Sequence, residues 1–343
     1  MKLRHFAFFI ILVVLGILVL QNIGKLGELI NLLKNVNIAI LLLIIPVRYL
    51  YYWSNSRYYV HFYRLFNRRL QFKKVYPAVV SMNFVNTVIP SGGISGGTFF
   101  ANALEEKVTS RESFLAQAFW YLASFIGLVT VLASSFIILF FSNSILRVSY
   151  RFILIFISIL LAVSFLVFAI SLNETIMQKV LYISTRPINW LLKLIKRPAI
   201  GEVHIERFVS GYHDLIELFQ ASPRRAVQPF LDALICILVE VLSIMVVFLA
   251  FGVVINPGVA AAGYIFAMMF SLLSIFTNGV GAYEATMVAV FVALGQPLEL
   301  SISVTAVYRL IAMWLFIPYG LWFYKQQMLD SDDDKKVELK HGK

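Results

Sequence analysis

Four charged residues stand in otherwise apolar runs: Arg48, Glu240, Glu284 and Arg309. Charge at membrane depth is costly, so each needs a partner or a task. Glu284 and Arg309 are 25 residues apart and cannot pair along one helix. They can meet only across helices. Two roles fit them. One is an ion pair that closes a helix bundle. In the other, Arg309 contacts a phosphate while Glu284 holds Arg309 or a cationic group. Arg48 and Glu240 are less well placed for such a task. Arg48 is expected to snorkel to an interface, and Asp232 to do the same.

Two glycine-rich breaks interrupt apolar stretches nearby. The first lies in 83–104, where Pro90, Ser91, Gly92, Gly93, Ser95, Gly96, Gly97 and Thr98 follow Asn86. The second is Thr277-Asn278-Gly279-Val280-Gly281, just before Glu284. Proline and glycine at this density break a helix. A broken helix at membrane depth is tolerated where protein buries it or where it lines a cavity. A helix that restarts there presents free N–H groups and a positive dipole end, which suits an anion. The restarts are expected near Ser95–Thr98 and near Gly281-Ala282-Tyr283, with Ser91, Thr277 and Asn278 adding polar contacts. Close helix packing is the competing explanation for the glycines, because small residues let membrane helices approach.

Other chemistry finds little support. The five histidines (His5, His61, His204, His213, His341) are all placed outside the spans, and no nucleophile–base spacing stands out. There is no phosphate-binding loop with its lysine, so no direct use of ATP is expected. Cys236 is the sole cysteine, which excludes an intrachain disulfide and a cysteine zinc site. No catalytic residue, metal or cofactor is assigned.

The elements that must position these residues are helical. The chain has 343 residues, 60% hydrophobic and 14% charged, with net charge +11. That composition indicates a polytopic membrane protein rather than a nucleic-acid binder. The expected fold is all-α, with about six transmembrane helices plus two re-entrant helical hairpins. The spans are read at 6–20, 36–53, 113–141, 152–172, 230–251 and 301–324. The hairpins are 77–89 with 98–104, and 260–276 with 283–294. Segment 54–76 is expected to be a basic, aromatic loop at headgroup level. Residues 205–219 repeat as an amphipathic helix, and 189–196 form a short interfacial one. Together they make a linker lying on the membrane surface. One membrane domain is expected over 1–325, with halves 1–172 and 227–325 around the linker 173–226. Residues 326–343 form a disordered cytoplasmic tail.

Most of the 29 lysines and arginines fall on one side of this arrangement; Lys25, Lys34, Arg147 and Arg151 fall on the other. Both termini are therefore expected in the cytoplasm, in a multi-pass cell-membrane protein. The second half then repeats the first with opposite direction, the inverted-repeat pattern of many transporters.

At these residues the sequence resembles a known family. Asn83, Asn86 and Pro90-Ser91-Gly92-Gly93-Ile94-Ser95-Gly96-Gly97 resemble the first motif of the lysylphosphatidylglycerol synthase transmembrane region, a flippase-like family of bacteria and archaea. Asn278 to Glu284, then Leu294-Gly295 and Tyr308-Arg309-Leu310, resemble its P-x-G-x-G-x-x-E, LG and YR pattern. The second motif has Asn278 near the place of the family's proline. Relatives often carry Arg and Glu in the first motif; here it offers backbone N–H groups and hydroxyls. The resemblance covers nearly the whole chain and implies the lipid-handling half of a synthase, without the soluble aminoacyl-transfer domain. It implies movement of an anionic phospholipid or polyprenyl-linked lipid between leaflets. The alternatives are a membrane-embedded glycosyl or lipid transferase, or an accessory subunit of a separately encoded transferase. An oligomer fits any of these.

Overall fold

Every regular element among the described residues is a helix. The structure is a computed structural model that describes residues 36–88, 94–104, 108–141, 166, 170, 173–194, 201–271 and 281–328. In chain order the helices are α1 (Ile38–Leu41), α2 (Ile44–Leu65), α3 (Phe72–Val88), α4 (Ile94–Ala103), α5 (Ser110–Phe141), α6 (Glu174–Leu194), α7 (Glu202–Ala221), α8 (Pro223–Ala250), α9 (Pro257–Ser271), α10 (Ala282–Ala293) and α11 (Leu298–Arg309). A π-helical turn, Leu310–Leu315, follows α11, and the chain is helical again over 317–328.

Four stretches are long and apolar enough to cross a membrane: Ile38–Leu65, Leu115–Phe141, Pro223–Ala250 and Leu298–Met328. Each exceeds the roughly 20 residues that a bilayer core demands. Helix α8 shows why such a stretch belongs in lipid. Its inward face buries Ile237, Val241, Ile244, Val247 and Phe248, while Leu231, Leu238, Leu242 and Leu249 lie exposed on the other side. A water-facing helix would be polar on that second face. The protein is an integral membrane protein.

Helices α9 and α10 are shorter, with 15 and 12 residues. They pack on each other and carry α9 against α5. Likewise α3 and α4 pack together, joined through 89–93. At about 1.5 Å per residue, α3 is about 25 Å long and α4 about 15 Å, both below a ~30 Å hydrocarbon core.

Helices α2 and α8 form the central pair. One apolar core joins α8, α9, α10, α11 and the C-terminal half of α5. A second gathers the C-terminal half of α2 with α3, α4, the N-terminal half of α5, and α7. Phe84, Val85 and Val88 of α3 pack against Tyr324, so the last helix closes on the first half.

Several sequence expectations change. Segment 54–65 is not an interfacial loop. It continues α2, and Tyr58, Tyr59, Phe62 and Tyr63 are at most 1% exposed. The basic residues there suggested a surface, but their aromatic neighbours pack on Phe100, Phe119 and Trp120. His61 consequently lies inside a spanning helix. The first hairpin arm starts earlier than 77, at Phe72, and accommodates Pro77 within the helix. Segment 189–196 is not a separate short helix, because α6 already runs from Glu174 to Leu194. The amphipathic segment 205–219 forms α7, but its apolar side faces protein. Ile205, Val209 and Tyr212 are buried in the second core, and Phe219 meets Phe119 edge-on at 4.7 Å. The expected spans 6–20 and 152–172 fall outside the described residues, apart from isolated positions; of the expected tail 326–343, residues 326–328 continue the last helix and the rest lies outside the described residues.

Close approach fixes the α9–α10 pair. A Cβ on Gly263 would stand 2.7 Å from Cζ of the fully buried Phe291 ring. A rigid ring cannot give way as a flexible chain end can. Gly263→Ala is therefore expected to destabilise the protein by about 1–3 kcal/mol. Thermal unfolding in detergent should show the loss, and Phe291→Leu in the same chain should recover part of it.

Candidate polar site of the bundle

Among the ion pairs of the described residues, two involve α11. Glu240 on α8 faces Arg48 on α2, with Nη1 of Arg48 2.6 Å from Oε2 of Glu240. The two residues are 7% and 4% exposed. Arg48 does not snorkel. Its position early in α2 and that of Glu240 deep in α8 meet where these two helices pack, so pairing replaces solvation. The Tyr308 hydroxyl donates to the same Glu240 oxygen at 2.9 Å. The Arg48 guanidinium also lies over the Tyr51 ring, 4.7 Å from its centroid.

The second pair is Glu284 with Arg309. Nε of Arg309 donates to Oε1 of Glu284 at 2.7 Å. Oε2 of Glu284 accepts from the backbone N–H of Gly281 at 2.6 Å. One carboxylate thus caps the start of α10 and holds the arginine. Gly281 is where the left-handed backbone is required, with φ 91°. The expected free, positive end of this helix is therefore met in part by the protein's own carboxylate. The pair remains accessible, with side-chain exposure of 16% for Arg309 and 30% for Glu284.

Arg309 keeps unused donor capacity. Its Nη2 is buried and has no hydrogen-bond partner. Its guanidinium lies over the Tyr283 ring at 4.4 Å. The hydroxyls of Tyr283 and of Thr305, one turn before Arg309, are also buried without partners. A guanidinium with an unmet N–H, in a partly accessible pair, is a donor suited to oxyanions.

The sequence-derived residues divide between two places. Gly281, Glu284, Tyr308 and Arg309 come together in the cluster just described. Asn86, Ser95, Gly96, Gly97 and Thr98 lie on the α3–α4 pair. There, Oδ1 of Asn86 accepts from the Gly96 N–H at 2.9 Å, and the Asn86 amide fills the space a Cβ on residue 96 would need. For these two residues the close-packing role is visible directly. Pro90, Ser91, Gly92, Gly93, Asn278 and Gly279 lie outside the described residues. The last helix links the two places: beyond Arg309 and the π turn, Tyr319 bonds to Tyr76 at 3.0 Å and Gly320 sits against Phe84.

A third polar cluster escaped the sequence. Asp232 on α8 is 2% exposed and lies 2.5 Å from Nδ1 of His61. Nε of Arg57 is 3.4 Å from its other oxygen. Asp232 does not snorkel either. The signal was spacing: Asp232 and Glu240 lie eight residues apart, close to one helix face, and that face looks at α2. Among the described residues, no three His, Cys, Asp or Glu side chains gather as metal ligands.

Comparison with known proteins bears on nearly the whole chain. The family model described as lysylphosphatidylglycerol synthase TM region matches residues 6–320. A UPF0104 membrane protein of Methanothermobacter thermautotrophicus is 32% identical over 94 residues. That match spans 27% of this chain and 28% of the relative, little more than a quarter of each. No solved structure matches the chain.

The buried pair yields a stability test. Glu240→Gln leaves the Arg48 charge uncompensated and is expected to cost about 3–5 kcal/mol. Replacing both residues with Met removes the stranded charge and should cost far less. Denaturation of the detergent-solubilised single and double variants checks this, since the two would fall equally if the ion pair were not the cause.

Proposed function

The chain belongs to the family of the lysylphosphatidylglycerol synthase TM region, and from that premise we propose that it moves a lipid with an anionic, phosphate-bearing headgroup between membrane leaflets. The lipid is an anionic phospholipid or a polyprenyl-linked lipid. One observation carries the reading. Arg309 spends one N–H on Glu284 yet keeps a buried Nη2 without a partner, in a pair that is still partly accessible. An unmet guanidinium donor in an apolar surrounding is costly to leave idle. A headgroup phosphate would meet it, with Tyr283 and Thr305 hydroxyls adding contacts.

In this reading the short pairs α3–α4 and α9–α10 are re-entrant hairpins of an inverted repeat. The passing headgroup is sheltered beside α10, and the α3–α4 pair contributes Ser95, Gly97, Thr98 and the residues of 89–93. Both termini face the cytoplasm of a plasma membrane, as the loop charges favour. The carboxylate of Glu284 holds Arg309 in place between passages and competes with the phosphate for it. That competition keeps the lipid from binding too tightly to leave.

Reconstituted vesicles carrying a labelled anionic phospholipid or polyprenyl phosphate provide the test. Arg309→Ala should slow leaflet exchange by about tenfold or more, the expected worth of a charge-assisted hydrogen bond. Glu284→Ala should also slow it, by loosening both Arg309 and the start of α10. Wild-type protein that exchanges none of these lipids would remove the reading.

A further inference from the structure

Where α2 ends and α8 begins, the surface holds a cavity of about 560 Å³. It is lined by Arg64, Arg68, Arg69 and Arg225, with Asn67, Leu70 and Gln228 completing the wall. Two segments remote in sequence supply the four guanidinium groups. Among the described residues no carboxylate lines the cavity.

Local structure explains how the arginines converge. Arg64 occupies the last turn of α2. Asn67 takes a left-handed backbone, φ 55°, and turns the chain back so that the Arg68 N–H bonds the Tyr63 carbonyl at 3.0 Å. Leu70, 8% exposed, pins the end of this turn in the core. Across the cavity, Arg225 and Gln228 stand in the first two turns of α8. That helix is 28 residues long, and its N-cap Ser222 makes no side-chain capping bond. Its positive dipole end adds to the same field.

Orientation by positive charge explains basic residues on this face, but not this arrangement. Lysines serve orientation equally well, and Lys73 and Lys74 stand close by in sequence, exposed and outside the cavity. Inside it every cation is arginine, the side chain whose planar fork matches phosphate oxygens. Four like charges around one concavity repel each other. Only Arg68 has a carboxylate, Glu112 at 3.3 Å. Arg64, Arg69 and Arg225 have none among the described residues.

We propose that this cavity is a second anion site, which takes a doubly charged phosphate group: a phosphomonoester or a diphosphate. Three free guanidinium groups more than neutralise such a group, and the volume admits it with part of what it is attached to. The site lies at the end of two spanning helices, at headgroup level. Arg64 is about 24 Å along α2 from Arg48, whose partner Glu240 bonds to Tyr308, the neighbour of Arg309, so the site is remote from both ion pairs. It stands independently of the lipid-transfer reading, because its measure is binding and not exchange.

The test uses the full chain in phosphatidylcholine nanodiscs and has two arms. One adds phosphatidate to the bilayer and reads retained lipid by native mass spectrometry. The other titrates inorganic pyrophosphate and reads binding by thermophoresis. Arg64→Gln, Arg69→Gln and Arg225→Gln are combined in one variant. A control neutralises Lys73, Lys74 and Arg186, which lie outside the cavity. The triple arginine variant is expected to bind on the order of 100-fold more weakly than wild type, with the control within a few-fold of wild type. Phosphatidate binding alone assigns the site to a lipid headgroup; pyrophosphate binding alone, or with it, assigns it to a phosphate that also arrives from water. Equal losses in the two variants would reduce the cavity to part of a diffuse basic surface and overturn the proposal. So would wild-type binding in neither arm. Thermal unfolding of both variants confirms that they remain folded.

Discussion

A charge taken out of water must find an opposite charge or lose its ionisation, and the Arg48–Glu240 pair is where this bundle meets that demand most fully. The pair sits between α2 and α8, the two helices that pack most extensively. Apolar faces alone would allow those helices to slide by a turn. A 2.6 Å contact between buried ions does not, because one turn of slip would separate the charges by about 5.4 Å in an apolar interior. Tyr308 bonds to the same carboxylate and extends the constraint to α11. The Asp232–His61 contact, two turns away along α8, repeats it toward the other end of the same interface. Register in this protein is set by polar contacts inside an apolar frame.

That explains what could be read in the sequence and what could not. Apolar length and composition disclosed an all-helical membrane protein, and α5, α7 and α10 run close to their expected limits, whereas α8 starts seven residues before its expected 230. Charges within apolar runs marked Glu284, Arg309, Arg48 and Glu240 as residues needing partners. Their pairing was less accessible. Arg48 and Glu240 are 192 residues apart, and no local periodicity relates positions on different helices. Segment 54–65 misled for a related reason. Basic and tyrosine residues there read as headgroup-level chemistry, whereas the tyrosines are inward, bonded to Ala116, Gln117 and Ser113 of α5. Polarity marks a residue that needs a hydrogen bond; it does not say whether water or protein supplies it.

The two ion pairs differ in a way that residue type alone does not disclose. Arg48–Glu240 is sealed and braced by a tyrosine. Each arginine keeps one buried nitrogen without a hydrogen-bond partner, Nε of Arg48 and Nη2 of Arg309, but Glu284–Arg309 is partly open. A sealed pair favours a fixed geometry. An open one allows a second anion to compete for the arginine without unpairing a fully buried charge. Identical chemistry is therefore sealed into the packing at one place and left partly accessible at the other.

Adjacent residues on a helix diverge by about 100°, so Tyr308 and Arg309 send α11 two different partners. Tyr308 ties it to α8, and Arg309 ties it to the start of α10. The far end of α10 is held differently, by Phe291 seated against Gly263 of α9. Opening the contact at the start of α10 exposes a pair that already meets its surroundings. Opening the contact at Phe291 would empty a packed core, and opening Arg48–Glu240 would strand a buried ion. The costs rise in that order. Motion in this region is thus cheapest at Gly281, the end of α10 whose cap is the partly exposed Glu284. That is also the end where Arg309 has an unmet donor, so the unmet polarity and the least costly motion fall on the same few residues.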